Sequence, residues 1–280
     1  MDAETAEAIL KEFEAFLASI PLADYRRKLE PIKTVEQDLP KELNPLPAIY
    51  DNYWVNSPGK FPNFEDFFER WWTEHSRPLL TFIRKYFWGC SLEFVHLGFK
   101  ARLYRTLISV LTQFHFAYSW LAYCQLPLDA SAELDTGGID ALVHCEGKAI
   151  ALQVKKETYR AEARERGRFF RREIPVTLVV EIPYTVVSPD EWQQRVIKAR
   201  KQETRQRGEM FAFLAEKLER WLPNGFVVFQ PDYPRLVERL IREEIQQGRQ
   251  GTIGWRETLE RVQTWVTWKS TNCSGHAPAA

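Results

Sequence analysis

The segment GGIDALVHCEGKAIALQVKKETYR, residues 137–160, sets an acid, an amide and a lysine into two short apolar runs. Asp140 opens the first run, and Gln153 and Lys155 close the second, one residue apart. Polar groups inside hydrophobic strands cost free energy unless they are paired or used. A carboxylate beside an amide oxygen can hold Mg2+, a hard cation that takes oxygen ligands and keeps several waters. Such an ion stabilises charge on a phosphoryl oxygen and acidifies water. A neighbouring ammonium orients that water or stabilises the transition state. Asp140, Gln153 and Lys155 are therefore candidates for catalytic groups in metal-assisted phosphodiester hydrolysis, with Asp140 as the central metal ligand. The bland alternative is a surface hairpin with three ordinary polar residues.

Whether these side chains converge depends on the turn between the strands. Glu146-Gly147 reads as a two-residue hairpin loop. Cys145 then faces Lys148, and Asp140 falls opposite Gln153. Directly opposed residues share a sheet face with Cβ atoms about 5 Å apart. Strand alternation adds Lys155 to that face and sends Lys156 to the other. Ala149 and Ala151 leave room around the polar groups, while Ile139, Ala141, Val143, Ile150, Leu152 and Val154 form the opposite, core-facing side.

The net charge is zero, yet the charge is unevenly spread. Residues 155–207 carry 14 Lys and Arg against 8 Asp and Glu, whereas residues 1–75 carry 8 against 15. Local potential, not the total, sets polyanion binding. The basic run follows the candidate site directly, so Lys156, Arg160, Arg164, Arg168, Arg171 and Arg172 are the candidate DNA contacts. Arginine is the usual reader of guanine in the major groove, but nothing separates base readers from phosphate holders here.

The flanking chain supplies the frame. An amphipathic helix is predicted over 2–19, irregular proline-punctuated structure over 31–62, and a helix capped by Asn63 through FEDFFERWWTEH. Further helices follow Arg77-Pro78 and span about Leu92–Tyr123. Beyond the hairpin come a part-helical basic stretch, a strand at 176–182, a long polar helix over Pro189–Trp221, a strand at 225–229, and helices at 233–247 and 255–268. The aromatic stripe from Phe82 to Trp88 reads as core rather than as a base-stacking platform. The fold class is α/β with a large helical N-terminal half. A single domain is expected over 1–268, helical to about 123 with a core over about 124–232, before a frayed tail at 269–280. Four scattered cysteines and the absence of a secretory or membrane-spanning segment point to the cytoplasm.

Asp140 and Gln153-Val154-Lys155 resemble the first acid and the (E/Q)xK element of PD-(D/E)xK nucleases. Longer blocks are similar to the TaqI restriction endonuclease family: PIKTVEQDLPKELNPLP (31–47), FIRKYFWGCSLEFV (82–95), KARLYRT (100–106), TQFHF (112–116), ELDTGGIDALVH (133–144), KKETYR (155–160) and EIPYT (181–185). The similarity runs from the N-terminal helix to about residue 230. It implies a PD-(D/E)xK-type core sheet flanked by helices, in a Type II restriction endonuclease. That enzyme would use Mg2+ and cut duplex DNA at TCGA, between T and C. It also implies a companion adenine methyltransferase. The family's acid and lysine carry over to Asp140 and Lys155, and Asp135 of ELD corresponds to a second metal-site or structural acid. Gln153 stands where many such nucleases have Glu, and Glu93 is a candidate for the missing carboxylate. A palindromic site favours a homodimer, with part of the aromatic surface between Phe64 and Tyr123 as its interface. The competing readings are a structure-specific or repair nuclease on the same fold, and a non-catalytic DNA-binding module.

Overall fold

The computed structural model describes residues 3–54, 61–157 and 175–273. The chain divides into two compact units. One comprises Ala8–His115 with Trp221–Phe226; the other comprises Met1–Glu7, Phe116–Arg220 and Val227–Ala280.

The first unit is helical. Its elements are α1 (Ala3–Ser19, counted from residue 8), α2 (Leu22–Lys28), a 3-10 turn (Lys41–Leu43), α3 (Leu46–Tyr53), α4 (Phe64–Glu74), α5 (Ser76–Tyr86) and α6 (Leu92–Tyr123, counted to His115). Asn63 caps α4 as expected, its side chain accepting from the Asp66 N–H at 2.9 Å. The irregular stretch predicted over 31–62 instead contains α3. Pro47 lies in its first turn, where a missing N–H and a fixed φ cost nothing. Aromatic rings fill the core: Phe13, Tyr53, Phe67, Phe68, Trp71, Phe99 and Phe114 are all buried. The stripe from Phe82 to Trp88 is only partly core. Phe82 and Phe87 are buried, but Trp88 is 86% exposed.

The second unit holds the main sheet. Its strands are β1 (Leu128–Asp129), β2 (Ala141–Cys145), β3 (Lys148–Lys156) and β4 (Leu178–Tyr184), with α7 (Ala132–Thr136) between β1 and β2. Two shorter strands, β5 (Glu219–Trp221) and β6 (Val227–Phe229), pair separately, and β7 (Gly251–Ile253) completes the main sheet in the order β1-β2-β3-β4-β7. β1, β2 and β3 are antiparallel neighbours, while β3, β4 and β7 run parallel. β3 is thus the seam between the two pairing modes. Its burial on both faces follows from its central place, with Ile150 through Val154 all buried.

The polar helix predicted over 189–221 is two helices, α8 (Pro189–Lys198) and α9 (Gln202–Phe213), followed by a π turn and β5. A Cβ at Gly208 of α9 would lie 2.7 Å from Cγ2 of Val196 in α8. The two helices approach that closely only because residue 208 has no side chain. The remaining helices are α10 (Asp232–Gln246) and α11 (Trp255–Cys273). α11 runs into the stretch expected to fray, through residue 273. Among the described residues, no helix is long and apolar enough to cross a membrane.

Candidate active site

The β2–β3 turn fixes the site. Glu146 and Gly147 both have positive φ, 50° and 74°, as a type I′ hairpin loop requires. The register is Cys145↔Lys148 through Ala141↔Leu152, the one expected from a two-residue loop. The Asp140 N–H donates to Leu152 O at 3.1 Å, carrying the pairing one step beyond the strand. Asp140 Oδ2 then accepts the Val154 N–H at 2.6 Å. Gln153, 6% exposed, donates through Nε2 to Gly138 O at 2.6 Å, which leaves its Oε1 as the acceptor end.

One expected neighbour sits differently. Ile139 is buried, but it packs with Ala151 and Val179 rather than on the opposite core-facing side. It precedes β2, and its N–H is drawn back to Leu134 O at 2.9 Å, so strand alternation does not reach it. The same turn brings Asp135 into play. Ser131 caps α7, accepting the Leu134 N–H at 3.3 Å, and the Gly138 N–H returns to Asp135 O at 2.8 Å. Gly138 takes φ of 85°, open only to residues tolerant of the left-handed region. Burial, reinforced by the nearby negative charge of Asp135, pushes the Asp140 carboxyl well above the usual carboxylate range. The Val154 N–H and Lys155 oppose that shift. Asp140 as a whole is half-buried. Asp135 itself buries one carboxylate oxygen.

Lys155 and Lys156 divide as alternation demands. Lys155 lies on the Gln153 face and is partly covered, whereas Lys156 is exposed. Parallel pairing with β4 sets Gln153 beside Glu181 and Lys155 beside Pro183. Lys155 Nζ meets Glu181 Oε1 at 2.6 Å, and Glu181 Oε2 accepts the Trp255 N–H at 3.0 Å. Glu181 escaped the sequence reading. The available signal was an acid within the apolar run VTLVVEIPY, whose partner becomes visible only with the β3–β4 register. Glu93 lies exposed in the first turn of α6, in the helical unit, and Glu181 is a carboxylate of the sheet itself. Arg160, Arg164, Arg168, Arg171 and Arg172 lie outside the described residues.

The donor set suits a hard cation. Among the described residues no three His, Cys, Asp or Glu side chains gather into a ready-made metal cage. Mg2+ does not need one, since it is held by one or two carboxylates together with substrate phosphate and water. Asp140 and Asp135, two acids close enough to repel, meet that requirement.

Comparison with known proteins gives the same direction. The family model for the TaqI restriction endonuclease matches residues 10–241. The Type II restriction enzyme TthHB8I of Thermus thermophilus is 49% identical over 261 residues, covering 92% of this chain and 97% of that enzyme. The Type II restriction enzyme TaqI of Thermus aquaticus is 47% identical over 266 residues, covering 94% and 99%. No solved structure matches the chain. Identity of this extent over nearly the whole length excludes the repair-nuclease and non-catalytic readings, and the chain belongs to the TaqI restriction endonuclease family of Type II, site-specific DNA endonucleases.

Proposed function

We propose that this endonuclease cuts duplex DNA at the palindrome TCGA, between T and C, in a Mg2+-dependent hydrolysis. The recognition sequence rests on the family resemblance of the long blocks, ELDTGGIDALVH and KKETYR above all. The chemistry rests on one observation: Asp140, Gln153 and Lys155 meet at one end of a sheet face, beside Asp135.

Asp140 and Asp135 would hold the cation, which when bound would supply charge neutralisation at the phosphate and acidify a water. Asp140 is oriented by the Val154 N–H on one oxygen, which leaves its second oxygen for the cation. Gln153 offers a neutral oxygen where a carboxylate would add charge to an already crowded pair. Its bond to Gly138 holds the loop carrying Asp140 against β3. Lys155 presents a positive charge to the water and to the phosphoryl oxygens as negative charge builds there. Lys156, on the other face, contacts the DNA backbone together with the basic run that follows it.

A palindrome cut on both strands is most simply served by a two-fold dimer. The helical unit carries the surface for it: Leu80, Tyr86, Trp88, Leu92, Phe94 and Leu97 are all exposed within eighteen residues of chain. Host DNA would be protected by a companion adenine methyltransferase of the same specificity.

Digestion of a plasmid of known sequence, with the cut ends sequenced, tests the reading. Discrete fragments ending at TCGA with Mg2+, and none with a chelator, are expected. Discrete fragments ending at another sequence would reject the specificity and keep the nuclease. Cleavage undiminished by chelator would reject the metal.

A further inference from the structure

We infer that Glu181 is a positioning residue for Lys155, and that the chain beyond residue 250 takes part in the active site by holding Glu181 in place. This rests on the reading of Lys155 as the catalytic lysine.

A lysine ammonium rides on a flexible four-carbon stem and has no fixed direction of its own. Here it has one. The parallel register of β3 and β4 brings Glu181 to the same face, beside Gln153, and its Oε1 lies 2.6 Å from Lys155 Nζ. The second oxygen is also engaged, by the Trp255 N–H at 3.0 Å. With both oxygens occupied, the carboxylate cannot swing away from the lysine without giving up the amide.

The amide is itself anchored. The Trp255 ring stacks on Phe211 of α9 at 5.2 Å between centroids, and Phe211 stacks on Trp192 of α8 at 5.2 Å. Trp192 Nε1 donates to Thr185 Oγ1 at 3.0 Å, which returns the chain of contacts to the end of β4. The path from Glu181 through Trp255, Phe211, Trp192 and Thr185 therefore closes on the strand it started from. The Arg207 guanidinium lies over the Trp255 ring at 5.7 Å and pairs with Glu157, two residues after Lys155. Both sides of the lysine are thus tied to the same aromatic stack. β7, which pairs with β4, and Trp255 both lie past residue 241, where the family match ends.

Glu181 acts through the lysine: one of its oxygens lies against the ammonium and the other is held by the Trp255 amide. Glu181→Gln keeps one oxygen acceptor for the Trp255 amide and replaces the anionic acceptor of Lys155 with an uncharged N–H donor. In single-turnover cleavage of a TCGA duplex by the full chain, this variant should be slower by about 10- to 100-fold, as for a catalytic group displaced from its working position. Affinity for the duplex with Ca2+ in place of Mg2+, and calorimetric affinity for the cation, should each stay within about threefold of wild type. In a Lys155→Ala background the same substitution should leave the residual rate unchanged within about threefold, since the residue it serves is gone. Should Glu181→Gln fail to fold, Glu181→Asp, which keeps the charge but shortens the reach, is expected to fold and to cut slowly.

Wild-type cleavage by Glu181→Gln overturns the inference. So does an equal slowing in the Lys155→Ala background, or a loss of cation affinity, either of which makes Glu181 act independently of the lysine. Asp140→Ala and Lys155→Ala serve as controls. If both cut normally, the reading of the site itself fails. If both are inactive while Glu181→Gln is normal, only the role of Glu181 fails.

Discussion

Among the described residues, the sheet unit buries Ser119, Gln153, Thr185, Glu219, Glu238, Glu244 and Thr258, and the helical unit Thr112 and His115. Exposed large apolar side chains show the opposite bias. Among the described residues, Leu80, Tyr86, Trp88, Leu92, Phe94 and Leu97 belong to the helical unit, and Val186 and Ile197 to the sheet unit. Each unit thus departs from ordinary partition of polar and apolar groups, in opposite senses. Buried polar groups cost free energy, so they must be matched. Glu238 accepts two backbone N–H groups and pairs with Arg242, and Glu244 pairs with Arg249 and Arg261. Exposed apolar side chains singly need no explanation, but six so close in sequence do. On the proposed reading Gln153 departs from the rule for chemistry and the helical unit for assembly, while Glu238 and Glu244 depart from it inside matched ion pairs.

The sharpest way to break that contrast is at Asp140. Asp140→Ala should lower cleavage by roughly a thousandfold or more and leave the protein folded. Turnover near wild type with Mg2+ would remove the site from the sheet unit. Lys155→Ala should behave alike, whereas Lys156→Ala should mainly weaken DNA binding. Reversed lysine effects would mean that the exposed side of β3 carries the chemistry.

The next effect belongs to the helical unit. Trp88→Glu with Leu92→Glu places charges on side chains 86% and 60% exposed, so folding should be untouched. The proposed dimer should weaken by at least about tenfold, some 1.4 kcal/mol, seen in sedimentation as a shift toward monomer. An unchanged sedimentation coefficient, whether dimeric or monomeric, would strip this patch of its assembly role.

A smaller effect tests burial without chemistry. Glu219 accepts the Thr185 N–H through one oxygen at 2.9 Å, and its other oxygen is buried without a hydrogen-bond partner. Burial raises its carboxyl well above the usual range. A folded-state value above the unfolded one means the native state binds the proton more tightly. The resulting stabilisation is full below the unfolded value and declines as pH rises from there towards the folded value. Each unit of difference corresponds to about 1.4 kcal/mol. Glu219→Gln should abolish that decline, so denaturant midpoints at pH 5 and pH 8 should lie closer together than in wild type. An equal gap would mean that Glu219 is not the group responsible.

The smallest change is at the turn. Glu146 holds φ of 50°, a region that costs most residues about 1–2 kcal/mol and costs asparagine less. Glu146→Asn should raise stability by roughly 0.5–1 kcal/mol and leave cleavage unaltered. A fall in stability would show that the Glu146 side chain contributes something the turn geometry does not reveal.

These effects mark what could be read from sequence. The hairpin was legible because its turn and its alternation are local: Glu146-Gly147 fixes Cys145 against Lys148, and every later pair follows by counting. Ile139 shows where counting stops, at the strand end. Glu181 was illegible because its pairing with Lys155 depends on a parallel neighbour reached only after a long connection, whose register no local pattern encodes. β7 is three residues long, too short for any periodicity to announce it. The break between α8 and α9 turns on Gly208 meeting Val196, a contact invisible in a polar helical pattern. In the helical unit the same aromatic stripe hid both Phe82 in the core and Trp88 outside it, because composition does not say which side of a helix the rest of the protein covers.

The bond from the Trp255 amide to Glu181 also orders events in time. Lys155 and Trp255 stand 100 residues apart in the chain. At about 5–20 residues per second of synthesis, the lysine leaves the ribosome roughly 5–20 s before the amide that secures its counter-charge. On the proposed reading, a growing chain carries the lysine of its DNA-cutting centre well before Trp255 is there to hold Glu181 against it. A half-made endonuclease is a poorly aimed one, and the cell's own chromosome is the DNA it would otherwise reach first.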